Sequence, residues 1–315
     1  MLVLGIDTSN YSTSAALFDG KSIKNISRLL PVKEGERGLR QSDAVFHHTK
    51  ALPLVVKELF EGVEEKPSAI GVTVSPTPRE GSYMPCFLCG EGLGSSLGAV
   101  NDIPVVRLSH QEGHITAALF SAKRLDLMRS PFLALHVSGG TTESVLCRPS
   151  EGERLFAAEL MGASLDLKAG QLIDRAGVLM GLDFPCGMEL EKLALGCGDD
   201  IKVRPFAKDG SISLSGYENK VKEMLSRGES REYVSKYVLT AVMEGIALLI
   251  EGTRKKAGDL PLIASGGVMS NMYIQKCLSG RFEDIFFSEP ALSRDNGGGA
   301  AVYAYLKTCG GKGLL

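Results

Sequence analysis

The amino-acid sequence predicts an α/β protein made of two halves with one layout, and three observations carry that prediction. Residues 3–19 read as an apolar run, a polar Ser/Thr turn and a returning apolar run, which is a β-hairpin. Residues 132–147 repeat the arrangement around a Ser-Gly-Gly turn. Between and after them, short apolar runs alternate with segments of helical periodicity, the grammar of mixed α/β architecture. Small turn residues let backbone N–H groups approach a phosphate closely, and their hydroxyls add hydrogen bonds. One such hairpin is commonplace. Two of them, opening the two halves of a chain, predict a duplicated domain that clamps a nucleotide.

The elements follow in order. After the first hairpin, residues 42–62 place apolar side chains at helical spacing, with a bend expected at Pro53. Residues 69–74 form a short buried strand, and 90–100 a helix of small residues. Beyond the second hairpin, residues 164–180 read as a helix that breaks at the Gly181-to-Gly187 turn. Residues 232–257 form a long helix leading to a strand at 260–265, whose Gly266-Gly267 turn opens a further helix. The end of a strand feeding a helix N-terminus is where α/β folds hold phosphates and nucleosides, although a close helix–sheet contact asks for the same glycines. The final helix begins at Gly297-Gly-Gly and carries small residues on successive turns, which suits tight packing beneath a ligand site. The tail from Gly310 is expected to fray.

At 315 residues, with 44% hydrophobic and 23% charged side chains, the chain is long enough for two lobes of a soluble globular protein. A net charge of −2 excludes a globally basic nucleic-acid coat and leaves room for a local basic patch. Seven cysteines, an odd number scattered along the chain, do not make a disulfide framework, and reduced thiols in a cytoplasmic compartment fit best. Cys86 and Cys89 have redox spacing without a second pair, so buried small apolar residues are the better reading. The N-terminus reads as a first strand rather than a signal. The most apolar helical stretch, 237–250, is interrupted by Glu244 and is too short for a bilayer, so no membrane segment is expected.

The chemistry concentrates at His110-Gln-Glu-Gly-His114, which holds two of the five histidines one helical turn apart. Residues at i and i+4 share one helix face, so both imidazoles can reach a single metal ion. Asp295 is the best-placed carboxylate in the sequence to join them. Two His and one carboxylate leave coordination positions open and suit Fe(II) or Zn. The alternative is a pair of ordinary helix histidines with satisfied hydrogen bonds. Geometry argues against a zincin-type hydrolase: Glu112 lies two positions after His110, roughly 200° around the helix, and points away from such a metal. His47 and His48 are expected on an ordinary helix surface.

In order along the chain, the segments Gly5-Ile-Asp-Thr-Ser9, His110-Gln-Glu-Gly-His114, Val137-Ser-Gly-Gly140, Ala169-Gly-Gln-Leu-Ile-Asp174, Gly181-Leu-Asp-Phe-Pro185, Ser213-Leu-Ser-Gly216, Gly266-Gly-Val-Met-Ser-Asn271 and Asp295-Asn-Gly297 resemble the TsaD/Gcp family of tRNA threonylcarbamoyl-adenosine synthases. They are more distantly similar to the actin/hexokinase/Hsp70 (ASKHA) group. The resemblance implies a duplicated two-lobed fold with a nucleotide and metal site in the interlobe cleft, and lobes at residues 1–115 and 116–315, the terminal helix packing back on the first. It implies metal ligation by His110, His114 and Asp295. It implies ligand phosphate at His136, Val137, Ser138, Gly139 and Gly140, a ligand contact at Asp174, close approach at Gly187 and a nucleotide contact at Asn271. The implied reaction moves the threonylcarbamoyl group from threonylcarbamoyl-AMP to N6 of the adenosine next to the anticodon in ANN-decoding tRNA. ATP is the other candidate adenine nucleotide, and the implied partners are tRNA, a smaller homologous subunit and an ATPase subunit. No catalytic base is identifiable.

The chain departs from the family pattern around this frame. Thr141 replaces a histidine beside the phosphate loop, and Ser75-Pro-Thr-Pro78 replaces a Gly-Pro-Gly turn. Gln171 stands for a glutamate, Leu167 for one of two aspartates, and Glu218 for a lysine, while the first loop reads Ser9-Asn-Tyr-Ser-Thr13. Two other functions are therefore weighed against transfer to tRNA: a non-catalytic nucleotide- and partner-binding paralogue, and carbamoyl transfer to a small-molecule acceptor. The surviving ligand set favours the enzyme; the lost histidine and lysine favour the paralogue.

Overall fold

The computed structural model describes residues 1–9, 11–31, 39–292 and 297–310, so the tail after Gly310 lies outside the described residues. The chain divides into two compact units: Met1–Ser130 with Pro149–Ala157 and Ala291–Leu315, and Pro131–Arg148 with Ala158–Pro290.

The first unit is built on five strands, β1 (Val3–Asp7), β2 (Ser12–Phe18), β3 (Ile23–Leu29), β4 (Ala69–Ser75) and β5 (Val105–Ser109), in the order β3-β2-β1-β4-β5. The predicted hairpin is β1–β2, paired antiparallel with Val3 opposite Phe18, while β1, β4 and β5 run parallel. Helices α1 (Gln41–Leu59) and α2 (Phe87–Asn101) pack against this sheet. The glycine stripe of α2 is an intramolecular seam: a Cβ on Gly90 would lie 3.1 Å from Ile6, and one on Gly98 would lie 2.3 Å from Val105. The C-terminal helix, Gly298–Cys309, lies against β1 and β4 through Ala300, Ala301 and Ala304. A Cβ at Gly5 would meet the carbonyl of Gly297 at 2.1 Å, and one at Gly71 the carbonyl of Ala300 at 2.0 Å. The small residues of that helix therefore serve backbone-to-backbone packing, as their spacing predicts. Helix α3 (His110–Ser121) follows β5 and packs on the same C-terminal helix.

One expectation fails in α1. His48 is fully buried rather than on the surface, with its Nδ1 2.8 Å from the Thr13 hydroxyl. It falls on the buried stripe Ala44, His48, Leu52, Val55, Leu59, whose 4-4-3-4 spacing is the inward face of a helix. The helix runs on through Pro53. Of the two cysteines expected to be buried, Cys86 is, whereas Cys89 is half-buried on α2.

The second unit repeats the plan. Strands β6 (Phe132–Val137), β7 (Thr142–Pro149) and β8 (Phe156–Ala163) are followed by α4 (Ala169–Leu179) and α5 (Gly187–Leu195). A two-stranded ribbon, β9 (Phe206–Lys208) and β10 (Ser211–Ser213), precedes α6 (Ser215–Ser226) and α7 (Arg231–Ala257). Then come β11 (Leu262–Ser265), α8 (Met272–Arg281) and β12 (Ile285–Phe287). The sheet order β8-β7-β6-β11-β12 matches β3-β2-β1-β4-β5 position by position, with the hairpin antiparallel and the last three strands parallel in both. The duplication predicted from two hairpins is thus a duplication of topology. Two boundaries differ from expectation. Helix α4 starts only at Ala169, because Ser164 is held in a bridge to Ile212. The Gly266-Gly267 turn passes through a 3-10 turn, Gly267–Ser270, before α8. Helix α7 is long and apolar enough to cross a membrane by composition, yet 72% of its most apolar stretch is buried inside the protein.

Candidate functional site

The first cluster grows out of the junction between β5 and α3. Ser109 caps the helix: its hydroxyl accepts the Glu112 N–H at 3.2 Å, and the Glu112 carboxylate accepts the Ser109 N–H at 2.7 Å. This reciprocal cap starts the helix at His110 and so puts His110 and His114 on one face a turn apart. Their Nε2 atoms converge to 2.9 Å, with the rings tilted by 77°. Two imidazole nitrogens each bound about 2.1 Å from one ion stand roughly 3.0 Å apart at the 90° of an octahedral site and roughly 3.4 Å apart in a tetrahedral one. The pair is spaced for the former, and is also at hydrogen-bond distance. The other nitrogen of His110, Nδ1, lies 3.2 and 3.3 Å from the two carboxylate oxygens of Asp7, at the end of β1. Asp7 is itself fixed, accepting the Thr73 hydroxyl at 2.5 Å and the Ser9 hydroxyl at 2.8 Å. A carboxylate behind a histidine sets its tautomer and ring orientation for a metal at the opposite nitrogen. Asp7, Thr73, His110, Gly113 and His114 line one small recess. The donor set fits a divalent metal. Asp295, the expected third ligand, lies outside the described residues. No three-residue His/Cys/Asp/Glu cluster is complete among the described residues.

Glu112 faces elsewhere, as its helical position predicts. It is fully buried, its carboxylate bound to Ser109, to the Arg154 guanidinium at 2.6 Å and to the Tyr303 hydroxyl at 3.3 Å. It anchors the helix rather than serving as a base at the histidine pair. Asp7 is the residue sequence reasoning missed: it sits in a recognised segment, but nothing local pairs it with a histidine 103 positions away.

The second cluster lies in the second unit, at the C-terminal ends of the neighbouring parallel strands β6 and β11, where α/β sheets bind ligands. His136 Nδ1 is 3.1 Å from the Ser265 hydroxyl across that pair. The Val137-to-Gly140 loop is folded on itself: the Ser138 hydroxyl accepts the N–H groups of Gly140 at 3.3 Å and Thr141 at 3.1 Å. Gly266, at φ +101, lies so near Val137 that a Cβ would come within 2.2 Å of its carbonyl oxygen. Gly170 presses the start of α4 against the same loop, where a Cβ would lie 2.6 Å from the Gly139 nitrogen. The outward sides of Gly139, Gly140, Gly187 and Gly267 are open, with nothing within 4 Å of a Cβ at any of them.

Asp174 is one turn beyond Gly170 on the same face of α4. Its carboxylate accepts the Cys186 N–H at 2.9 Å, tying down the turn before Gly187, and burial raises its pKa. Asn271 is buried and caps α8, its side-chain oxygen accepting the Ile274 N–H at 3.0 Å. The structure therefore joins the 137–140 loop, Gly170 and Gly266, and separately joins Asp174 to the start of α5. Asn271 has a structural bond of its own.

The departures are built in. Gln171 accepts the Lys168 N–H at 3.3 Å at the start of α4, and Leu167 is buried in the apolar core. Asp166 accepts both the Ser213 and Ser215 hydroxyls, at 2.5 and 2.6 Å. Glu218 is paired with Arg175 and Lys222, each at 2.8 Å. In the 75–78 turn, the Pro76 carbonyl accepts the Gln111 N–H at 3.0 Å and so supports the start of α3.

Comparison with known proteins adds to this geometry. The sequence model of the family described as TsaD, tRNA N6-adenosine threonylcarbamoyltransferase, matches residues 32–302. A protein of that name from Thermus thermophilus is 30% identical over 313 residues, covering 97% of this chain and 92% of its own length. One from Aromatoleum aromaticum is 30% identical over 330 residues, covering 99% and 93%. Among solved structures, the ROK hexokinase from Thermus thermophilus superposes with a TM-score of 0.58 at 17% identity, over 99% of this chain and 100% of that one. HypF from T. kodakarensis superposes with a TM-score of 0.62 at 12% identity, over 100% of this chain and 48% of that one. At such identities these structures speak to the fold, which is of the ASKHA type.

Proposed function

Because the chain belongs to the TsaD family of tRNA N6-adenosine threonylcarbamoyltransferases, we propose that it transfers the threonylcarbamoyl group of threonylcarbamoyl-AMP to N6 of the adenosine next to the anticodon in ANN-decoding tRNA. The observation that carries the reading is the pair of imidazole nitrogens 2.9 Å apart, with Asp7 behind one of them. The family's named activity, carried by relatives 30% identical over nearly the whole chain, favours the enzyme over a protein that only holds a partner.

His110 and His114 would hold the metal, with Asp295 as third ligand, and both Fe(II) and Zn accept this set. Bound there, the ion would polarise the donor carbonyl or neutralise the departing phosphate. The rest falls to binding and orientation. The donor is an activated mixed anhydride: a C–N bond forms at N6, the C–O bond to phosphate breaks, and AMP leaves with the electron pair as N6 gives up a proton. Protein groups need only align the two reactants and stabilise developing charge. We assign the phosphate to the His136, Val137, Ser138, Gly139 and Gly140 segment, whose glycines open outward. Asp174, Gly187 and Asn271 are assigned to the nucleoside portion or to ATP. A smaller homologous subunit and an ATPase subunit are the proposed partners. All seven cysteines are free thiols, which supports the cytoplasm as compartment.

The test is mass spectrometry of ANN-decoding tRNA incubated with the protein, its partner subunits and threonylcarbamoyl-AMP. Wild type should yield the modified adenosine, and the His110→Ala/His114→Ala variant about 100-fold less. Unmodified tRNA in a mixture where the Thermus thermophilus relative is active would refute the assignment.

A further inference from the structure

The transfer chemistry leaves one recess of the second unit unused. Where the 202–206 segment meets the start of α6 and one face of α7, there is a pocket of about 360 Å³. Lys202, Arg204 and Lys220 stand around it, all exposed, and none of the three is ion-paired among the described residues. Of the nearby acids, Glu218 is paired with Arg175 and Lys222 and Glu223 with Arg227 at 2.5 Å, while Asp166 bonds the Ser213 and Ser215 hydroxyls and carries no ion pair among the described residues. Three unpaired cations thus stand in the lining of the pocket, which contains no acidic side chain, with Asp166 held at its edge by Ser213.

Its wall is aromatic. Tyr217 and Tyr237 lie with ring centroids 6.0 Å apart, and burial pushes the Tyr217 phenol up to about 12, so it stays neutral at physiological pH. Phe206 on β9 adds a third ring that is 61% exposed. Gly216 keeps the mouth clear, with no atom within 4 Å of a Cβ there. A solvated charged face has no need of a ring-lined recess, and an apolar packing site would not carry three unpaired cations. Rings for stacking beside cations for phosphate is the chemistry that receives single-stranded nucleic acid.

We propose that this recess binds a nucleotide of single-stranded RNA, its base against the rings and its flanking phosphates on Lys202, Arg204 and Lys220. The proposal rests on the reading of the chain as a tRNA-modifying enzyme and assigns to that substrate a docking point on this unit.

The test measures binding of a fluorescein-labelled anticodon stem-loop RNA to the full-length protein by anisotropy over a range of salt. ATP and poly-glutamate serve as competitors. Every substituted side chain is exposed, and an unchanged unfolding midpoint marks each variant as folded. Phe206→Ala should weaken RNA binding about tenfold. Lys202→Ala/Arg204→Ala should lower the salt slope by about 1.4, two phosphate contacts on a single strand. In turnover assays the same variants should raise KM for tRNA and leave kcat in place. Wild-type affinity and salt slope in both variants would overturn the proposal even if the protein modifies tRNA. So would competition at the pocket by poly-glutamate or ATP alone, which would make it a peptide or free-nucleotide site. RNA binding that depends on Phe206 and Lys202, in a protein that transfers nothing, would uphold the recess and refute the transferase.

Discussion

At the start of α3, a buried Glu112 holds the Ser109 cap, Arg154 and Tyr303 together. Removing that carboxylate leaves the Ser109 N–H without its partner and a guanidinium without its counter-charge. Because Arg154 is partly exposed, the loss should be about 2 kcal/mol rather than at the upper end for buried pairs. Urea unfolding of Glu112→Ala checks it; an unchanged midpoint would show that the network carries no stability. His48 makes a prediction about pH. Burial pushes its imidazole down to about 4 from 6.5, against the opposing pull of Asp7. Between those values the unfolded chain takes up a proton that the folded chain refuses, so stability falls as pH drops through the window, by about 3 kcal/mol. His48→Leu should lose that part of the pH dependence when unfolding free energies near pH 7 and pH 4 are compared. At this scale the sequence was uneven. The pair His110 and His114 was legible because both lie within one helical turn, whereas Asp7 reaches His110 only through the fold. His48 could have been found, since it continues the stripe of Ala44 and Leu52.

Among the elements, glycine positions separate two roles that look alike in sequence. Gly71 lies under the C-terminal helix, and Gly71→Ala would drive a methyl into the Ala300 carbonyl, costing about 1–3 kcal/mol. Gly139 and Gly187 open on empty space at ordinary backbone angles, so Gly139→Ala and Gly187→Ala should leave the unfolding midpoint where it is. If the assigned phosphate and nucleoside sites are correct, the same two variants should lower transfer roughly 10- to 100-fold by displacing the donor. Full activity in both would refute the assignment. The hairpins, α3, α7 and the C-terminal helix followed from periodicity and turn chemistry. The stretch 200–226 did not: β9 and β10 are three residues each, too short for any alternation to show, and α6 buries only Val221 along its length.

For the whole molecule, the duplicated topology was visible in the sequence because each half opens with the same hairpin. That the first unit is assembled from three separate segments was less so, since the partners of Gly5 and Gly71 lie at the other end of the chain. The C-terminal helix places Tyr303, Ala300, Ala301 and Ala304 in the buried interior of that unit. Deleting residues 297–315 should therefore abolish hydrogen-exchange protection in β1, β2 and β4. Strands β6, β7 and β11, whose core is formed within the second unit, should keep theirs. Protection surviving in β1 and β4 would show that the first sheet stands without its last helix.

The same arrangement orders events during synthesis. Every strand of the first sheet has left the ribosome well before the helix that covers the glycine side of β1 and β4, which follows the whole second unit in chain order. Throughout that interval the face of β1 and β4 that carries Gly5 and Gly71 lacks the helix that covers it in the folded protein. The helix bearing His110 and His114 acquires its packing partner only when residues 298–309 emerge. A chain ending before Gly298 lacks that partner, so the order of synthesis makes the C-terminal helix the last piece added around the two histidines.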